Sequence, residues 1–329
     1  MTNFMGIRLK YAKPVRQLME SIHLFERRPE SPFKHYDLRE MEQYATLEVR
    51  EGVVIPTTDE GAWEHLPKFR WVYSKLDVAL SQGMDAAPMG VVPKNFPVFM
   101  KPVINLHGAG VGARALATED EYEKHKHLSG FFWMEHLQGD HLSHDFVVDK
   151  GEVLFTLTFR GESLGKGMFD YWETVDGGNS VLYAKEWIRK YLADYTGCVN
   201  LEMLGYRIIE CHLRMGDIDG LGDAELMQGI VDVYAGKRWT FSKKLKPFYE
   251  FALWGEWGTT YAIDEDKAKD ICTNLTFCQI DDSRLYFQNP VGGVRVAIIG
   301  GYDKLECVRA RQLLYESFSP KPREPRTVY

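Results

Sequence analysis

Residues 196–217 read TGCVNLEMLGYRIIECHLRMGD, with polar groups on alternate positions. As two short strands joined by a tight turn at Leu204-Gly205-Tyr206, the segment sorts into two faces, because successive strand residues point to opposite sides. Val199, Leu201 and Met203 share one face of the first strand, and Asn200 and Glu202 the other. On the second strand Ile209, Cys211 and Leu213 oppose Glu210, His212 and Arg214. Pairing as a hairpin would bring Glu202 and Glu210 together, with His212 and Arg214 beyond them. Neighbouring carboxylates repel unless a cation or proton sits between them. The segment is therefore either the solvated outer face of a hairpin or a divalent-metal site. In the second case Glu202, Glu210 and His212 are the candidate ligands, and Arg214 stands over an anion.

A second constellation lies in FPVFMKPVINLHGAGVGARAL. Its β-branched and aromatic content predicts a strand over 98–104, with Lys101 inside it. A lysine there must snorkel to water or meet an anion. Gly108, Gly110 and Gly112 follow, and a glycine loop lets backbone N–H groups approach a phosphate. The same spacing also fits a plain hairpin turn. Glycines 161, 165, 167, 177 and 178 predict a long loop over 161–179, of a length more often functional than inert. A metalloenzyme independent of nucleotide would use His136, His141, His144 and His212. The run HLQGDHLSH, however, matches no standard zinc spacing.

These residues need elements to position them. Helices are expected over 14–25 and 71–80, the second ending near Gly83, with a pair of short strands over 46–55. ERRPESPFKH reads as a loop. Thr118 and Glu121 form a capping box that opens a helix to about 128. Strands follow over 131–137, 143–149 and 153–160, then a helix capped by Ser180 that stops at Gly197. Further helices are expected near 224–234 and over 305–318, and a strand over 294–299. Antiparallel strands with packed helices make an α+β pattern. The divisions expected are an N-terminal region 1–70, a core 71–240, an appended C-terminal α/β module 241–318 and a mobile tail 319–329.

The 329 residues, 45% of them hydrophobic, can bury a substantial core. The net charge of −7 argues against non-specific nucleic-acid binding. No apolar run reaches the length of a bilayer span, and the N-terminus lacks the pattern of a secretory signal. Five scattered cysteines make no disulfide framework, so a reducing, cytoplasmic setting is expected.

Together the motifs over 71–234 resemble the ATP-grasp superfamily. The resemblance implies a fold of antiparallel sheets with packed helices, holding ATP between two subdomains. Lys75 in VYSKLDVALSQGM matches the family's first lysine and Lys101 its second, ahead of the phosphate loop at Gly108, Gly110 and Gly112. Glu135, His136 and Leu137 fall at the adenine hinge, with Asp140 and His141 near the ribose. Glu202 matches the first metal strand. Glu210, His212 and Arg214 follow the E-x-N-x-R pattern seen in biotin carboxylase, with His212 in the place of the usual asparagine. The expectation is Mg²⁺, or Mn²⁺ if the imidazole is a ligand. The resemblance implies an ADP-forming carboxylate–amine ligase acting through an acyl phosphate, with Arg214 and Arg160 as stabilising residues. Small-molecule carboxylate and amine substrates are the expected partners. A kinase acting on a hydroxyl and a nucleotide-binding protein without turnover remain alternatives, and the oligomeric state is open, a homodimer included.

Overall fold

The structure, a computed structural model, describes residues 33–34, 47–106, 110–281 and 292–326. The helix expected over 14–25 lies outside them. Strand β1 (Phe33–Lys34) pairs in parallel with β2 (Ile55–Pro56), so a two-residue strand interrupts the expected ERRPESPFKH loop. Thr58 caps α1 (Asp59–His65) by accepting the Gly61 N–H.

The single helix expected over 71–80 is two pieces, a 3₁₀ turn at Pro67–Tyr73 and α2 (Lys75–Ser81). Ser74 takes extended backbone between them, and its hydroxyl accepts the Asp77 N–H. That cap sets Lys75 at the first helical position.

A small sheet comprises β3 (Ala86–Pro88), β4 (Val98–Pro102), β5 (Arg114–Leu116) and β6 (Phe131–Glu135), in the order β3-β6-β4-β5. Between β5 and β6, α3 (Glu119–His125) starts at Thr118, which accepts the Glu121 N–H; the Glu121 carboxylate reaches back to the Ala117 N–H.

The chain then enters a sheet of eight strands. In chain order these are β7 (His141–Asp149), β8 (Glu152–Gly165) and β9 (Met168–Thr174), then α4 (Gly178–Tyr191) and the hairpin β10 (Gly197–Leu204) and β11 (Arg207–His212). After α5 (Ala224–Tyr234) come β12 (Tyr249–Gly255), α6 (Glu265–Ile271), β13 (Phe277–Ile280), β14 (Val294–Gly301) and α7 (Lys304–Ser317). The spatial order is β11-β10-β7-β8-β9-β12-β14-β13. On one face Ala184, Trp187 and Ile188 of α4 bury against Val199, Leu201 and Met203. On the other, Leu226, Ile230 and Val231 of α5 bury against Val147, Phe159 and Cys198. Each such aliphatic side chain contributes about 1.5–3 kcal/mol on leaving water, so both layers are held mainly by apolar contact.

Three expectations change here. Residues 161–179 are mostly not a loop: β8 continues to Gly165, turns at Lys166-Gly167 and returns as β9. The glycine content reflects packing, since a Cβ on Gly161 would stand 2.7 Å from ring atoms of Phe169 and Trp172. Residues 241–318 are not a separate layer, because β12 pairs with β9 and extends the same sheet. Residues 319–326 are tied down: the Ser319 N–H donates to Ala262 O at 2.9 Å and the Arg323 N–H to Trp254 O at 2.7 Å.

Candidate active site

Glu202 stands opposite Glu210, and Asn200 opposite His212, across the β10–β11 ladder. The register then shifts, Met203 pairing with Ile208, so Ile209 is an extra residue in β11. Ile208 therefore joins Cys211 and Leu213 in the core, in the place expected for Ile209. Ile209 packs instead with Ala79, Phe132 and Met134, against the small sheet. Its carbonyl, displaced from the ladder, accepts the Lys101 ammonium at 2.7 Å. Beside it, the Gln82 side-chain amide exchanges two hydrogen bonds with the backbone of Ile208, each 2.8 Å.

Both lysines are buried. Lys75 Nζ lies 2.6 Å from Glu210 Oε1. Burial lowers the Lys101 pKa to about 8, against the opposing pull of Glu210. The two ammonium groups thus reach the polar face of the hairpin from two different elements, α2 and β4.

His212 is held by Asp59, with Nδ1 at 2.9 and 3.1 Å from the two carboxylate oxygens. Burial disfavours its charged form, but Asp59 more than compensates, and the pKa rises to about 9. Asp59 is likewise disfavoured as an anion by burial, yet His212 and Arg214 lower its pKa to about 2. The Nε2 of His212 faces Glu202 at 3.8 Å and Glu210 at 3.7 Å. That nitrogen has no hydrogen-bond partner among the described residues. Arg214 Nε lies 3.4 Å from Asp59, and its Nη1 donates to Met215 O. Glu202 also meets His141 Nε2 at 3.2 Å; burial opposes its ionisation, but the two histidines hold it well below the usual carboxylate range.

One ligand atom from each of Glu202, Glu210 and His212 fits within 4.8 Å of the others. The two carboxylates suit a hard, oxygen-seeking cation. His212 presents its buried Nε2 to the same cluster while Asp59 holds its Nδ1.

The remaining candidates fall in two groups. Glu135, His136, Leu137, Asp140 and His141 occupy the connection from the small sheet to the large one. The Glu135 N–H donates to Asp85 O, Leu137 packs beside Ile209, and Asp140 O accepts the Gly205 N–H. Gly110 and Gly112 have positive φ (58° and 79°), while Gly108 lies outside the described residues. Arg160 is not brought to the site. It pairs across the sheet with Leu142, which neighbours core residue Met203, so it projects from the face opposite Glu202. There it binds Glu173 at 2.6 Å.

A cavity of about 390 Å³ opens beside Glu202 and Arg214 and runs along the sheet to Trp172, Trp254 and Arg295. Sequence reasoning missed Asp59, 153 residues from His212. It also missed Arg295, although a cation inside the apolar run VRVAII is the same signal that singled out Lys101.

The sequence matches no family model and no curated protein. Solved structures do match over most of the chain. An N5-carboxyaminoimidazole synthetase from Staphylococcus aureus, complexed with ADP, is 11% identical with a TM-score of 0.57, covering 82% of this chain and 81% of that one. An L-amino acid ligase from Bacillus licheniformis is 11% identical with a TM-score of 0.56, covering 85% and 82%. An N5-carboxyaminoimidazole ribonucleotide synthetase from Thermus thermophilus is 15% identical with a TM-score of 0.54, covering 83% and 84%. At such identities the likeness is one of fold.

Proposed function

The chain has the ATP-grasp fold, and we propose that it is an ATP-dependent, ADP-forming ligase joining a small carboxylate to an amine. The observation that carries this reading is the pair Glu202 and Glu210, opposite one another and neighboured by Lys75, Lys101 and His212, with Glu202 lining a cavity. Glu202 and Glu210 would hold Mg²⁺, which when bound supplies charge neutralisation for phosphoryl transfer. Lys75 and Lys101 present ammonium groups to phosphate oxygens from the small-sheet side. His212, held at Nδ1 by Asp59, turns its Nε2 towards the two carboxylates. Arg214, anchored through Asp59, faces the cavity where an acyl phosphate and its oxyanion would need a fixed cation. Glu135, His136 and Leu137, with Asp140 and His141, are the proposed adenine and ribose contacts, and Gly110 and Gly112 the phosphate loop. Arg160 has no place in this arrangement. The ligases among the structural neighbours agree with the reading, and five free, buried cysteines suit the reducing cytoplasm.

The test is ADP release from Mg-ATP across a panel of small carboxylates with and without amines. Release dependent on both substrates, with free phosphate as co-product, is the expected result. Phosphate retained on the product would make the chain a kinase. Nucleotide binding with no release under any pair would reduce it to a binding protein.

A further inference from the structure

The cavity is too large for a lone carboxylate, and its far wall carries charge that the reaction at Glu202 does not use. Arg295 lies on β14, five strands away from β10 in the sheet order, yet it lines the same cavity as Glu202 and Arg214. Its Nε is 2.6 Å from Asp281 Oδ2, and the other carboxylate oxygen of Asp281 accepts from Gln279 Nε2 at 2.5 Å. Asp281 and Gln279 are both buried, whereas the Arg295 side chain is 28% exposed. A buried acid and amide thus fix the orientation of a guanidinium that reaches the cavity. Arg214 is built the same way, through Nε to buried Asp59. Two anchored arginines therefore line the cavity, one from β14 and one from just beyond β11.

Lys166 is an independent observation. It is the first of two residues in the β8–β9 turn, with φ at 55°, and Gly167 follows at 75°. A two-residue turn with both φ positive favours Asn, Asp or Gly at that first position. Lys150-Gly151 makes the same turn between β7 and β8, so the turn by itself carries no function; Lys166 differs in that its exposed side chain borders the cavity. Glu250 also lines the wall, and Glu250, Arg295, Asp281 and Arg214 each have further interactions inside the protein.

We propose that Arg295 and Lys166 bind an anionic group on the substrate, remote from the reacting centre, so that the substrate is a carboxylate carrying a second carboxylate or a phosphate. This rests on the ligase reading for the identity of the reacting end alone. Guanidinium binds either anion through paired N–H donors. Arg295 would thus be a specificity-determining residue, outside the bond-making step.

Binding separates this inference from the ligase reading. Isothermal titration in the presence of Mg-ADP would compare succinate, adipate and suberate with butyrate and hexanoate, and 3-phosphoglycerate with glycerate. Dianions should bind at least about tenfold more tightly than their monoanionic counterparts, the scale of one charge-assisted contact. The dicarboxylate length that binds best then measures the span between the two anion sites, and 3-phosphoglycerate against the dicarboxylates distinguishes phosphate from carboxylate. Arg295→Gln should abolish the preference. Because that change strips buried Asp281 of its cation, Lys166→Asn is the companion: Asn suits the turn, so the fold is kept while dianion affinity falls severalfold and monoanion affinity stays. Equal binding of dianions and monoanions by wild type would overturn the proposal, as would a preference untouched by both variants. Arg295-dependent dianion binding without ADP release under any condition would keep it and remove the ligase reading instead.

Discussion

Two groups of buried charge in this sheet contrast in design. Under α7, Arg311 and Asp170 form a single ion pair at 2.7 Å, with side chains 1% and 4% exposed. Arg311 also donates to Arg326 O and lies over the Phe251 ring at 4.7 Å, so its fork is enclosed by protein. At the β10–β11 hairpin, seven charged groups share one region: Asp59, Lys75, Lys101, Glu202, Glu210, His212 and Arg214. Glu202 there keeps a third of its side chain exposed, and it borders the cavity with Arg214. The first arrangement is closed and serves the fold. The second is balanced by partners on one side and left open on the other, as a site for charged ligands requires.

The contrast can be broken most forcefully at Arg311. Arg311→Ala should cost about 3–5 kcal/mol of stability, the usual penalty for leaving one partner of a buried pair, while nucleotide affinity of the folded fraction stays unchanged. Urea denaturation beside isothermal titration checks both halves. Glu210→Gln should do the reverse, because the amide can still accept from Lys75 and only the charge is lost. Stability should move little, and ADP release should fall by about 10²–10³. If that variant unfolded like Arg311→Ala and its folded fraction turned over normally, the hairpin would be structural.

His144 supplies a third case, an ionisable group kept neutral. It is fully buried beside Thr158, and burial lowers its pKa to about 4, from an ordinary 6.5. Between those values the unfolded chain takes a proton that the folded chain refuses. Stability is therefore complete above pH 6.5 and declines as pH falls towards 4, by up to about 3 kcal/mol. His144→Asn, which keeps an acceptor and a donor near Thr158, should flatten that slope in denaturation curves measured from pH 7 to 4.5. The smallest effect is expected at Lys101. Lys101→Ala should weaken ATP binding by about 1.5–3 kcal/mol, the worth of a hydrogen bond to a charged group. Equal affinity in wild type and variant would place the ammonium outside the nucleotide site.

Part of the hairpin was legible because period-two alternation needs no tertiary information: Glu210 and His212 share a face of β11 in any register, but Glu202 joins them only through the bulge, since the Leu204–Arg207 closing pair would otherwise set Glu202 opposite Ile209. The bulge was not legible, since Ile208 and Ile209 are equally apolar and nothing local says which one is extra. Arg160 failed for a related reason. Its face depends on how β8 registers against β7, which a single strand does not reveal. Glycines 161, 165 and 167 signalled a loop by composition, whereas two of them serve a close ring contact and a tight turn. The continuation of the sheet through β12 was hidden because strand order is a long-range property; β9 and β12 are separated by α4, β10, β11 and α5. Asp59 was hidden for the same reason.

Gln82 has a consequence beyond the site. β11 ends its sheet, and the outward backbone of such an edge is a template on which another chain can polymerise. The Gln82 amide offers Ile208 one donor and one acceptor, as a ninth strand would, and so occupies that template at the residue beside the bulge. With α2 and the 3₁₀ turn packed on β11 and Lys101 on the Ile209 carbonyl, that side chain helps to close the edge to foreign strands. Gln82→Ala should therefore raise light scattering on incubation at high protein concentration, and scattering equal to wild type would show that the edge is guarded by its other neighbours.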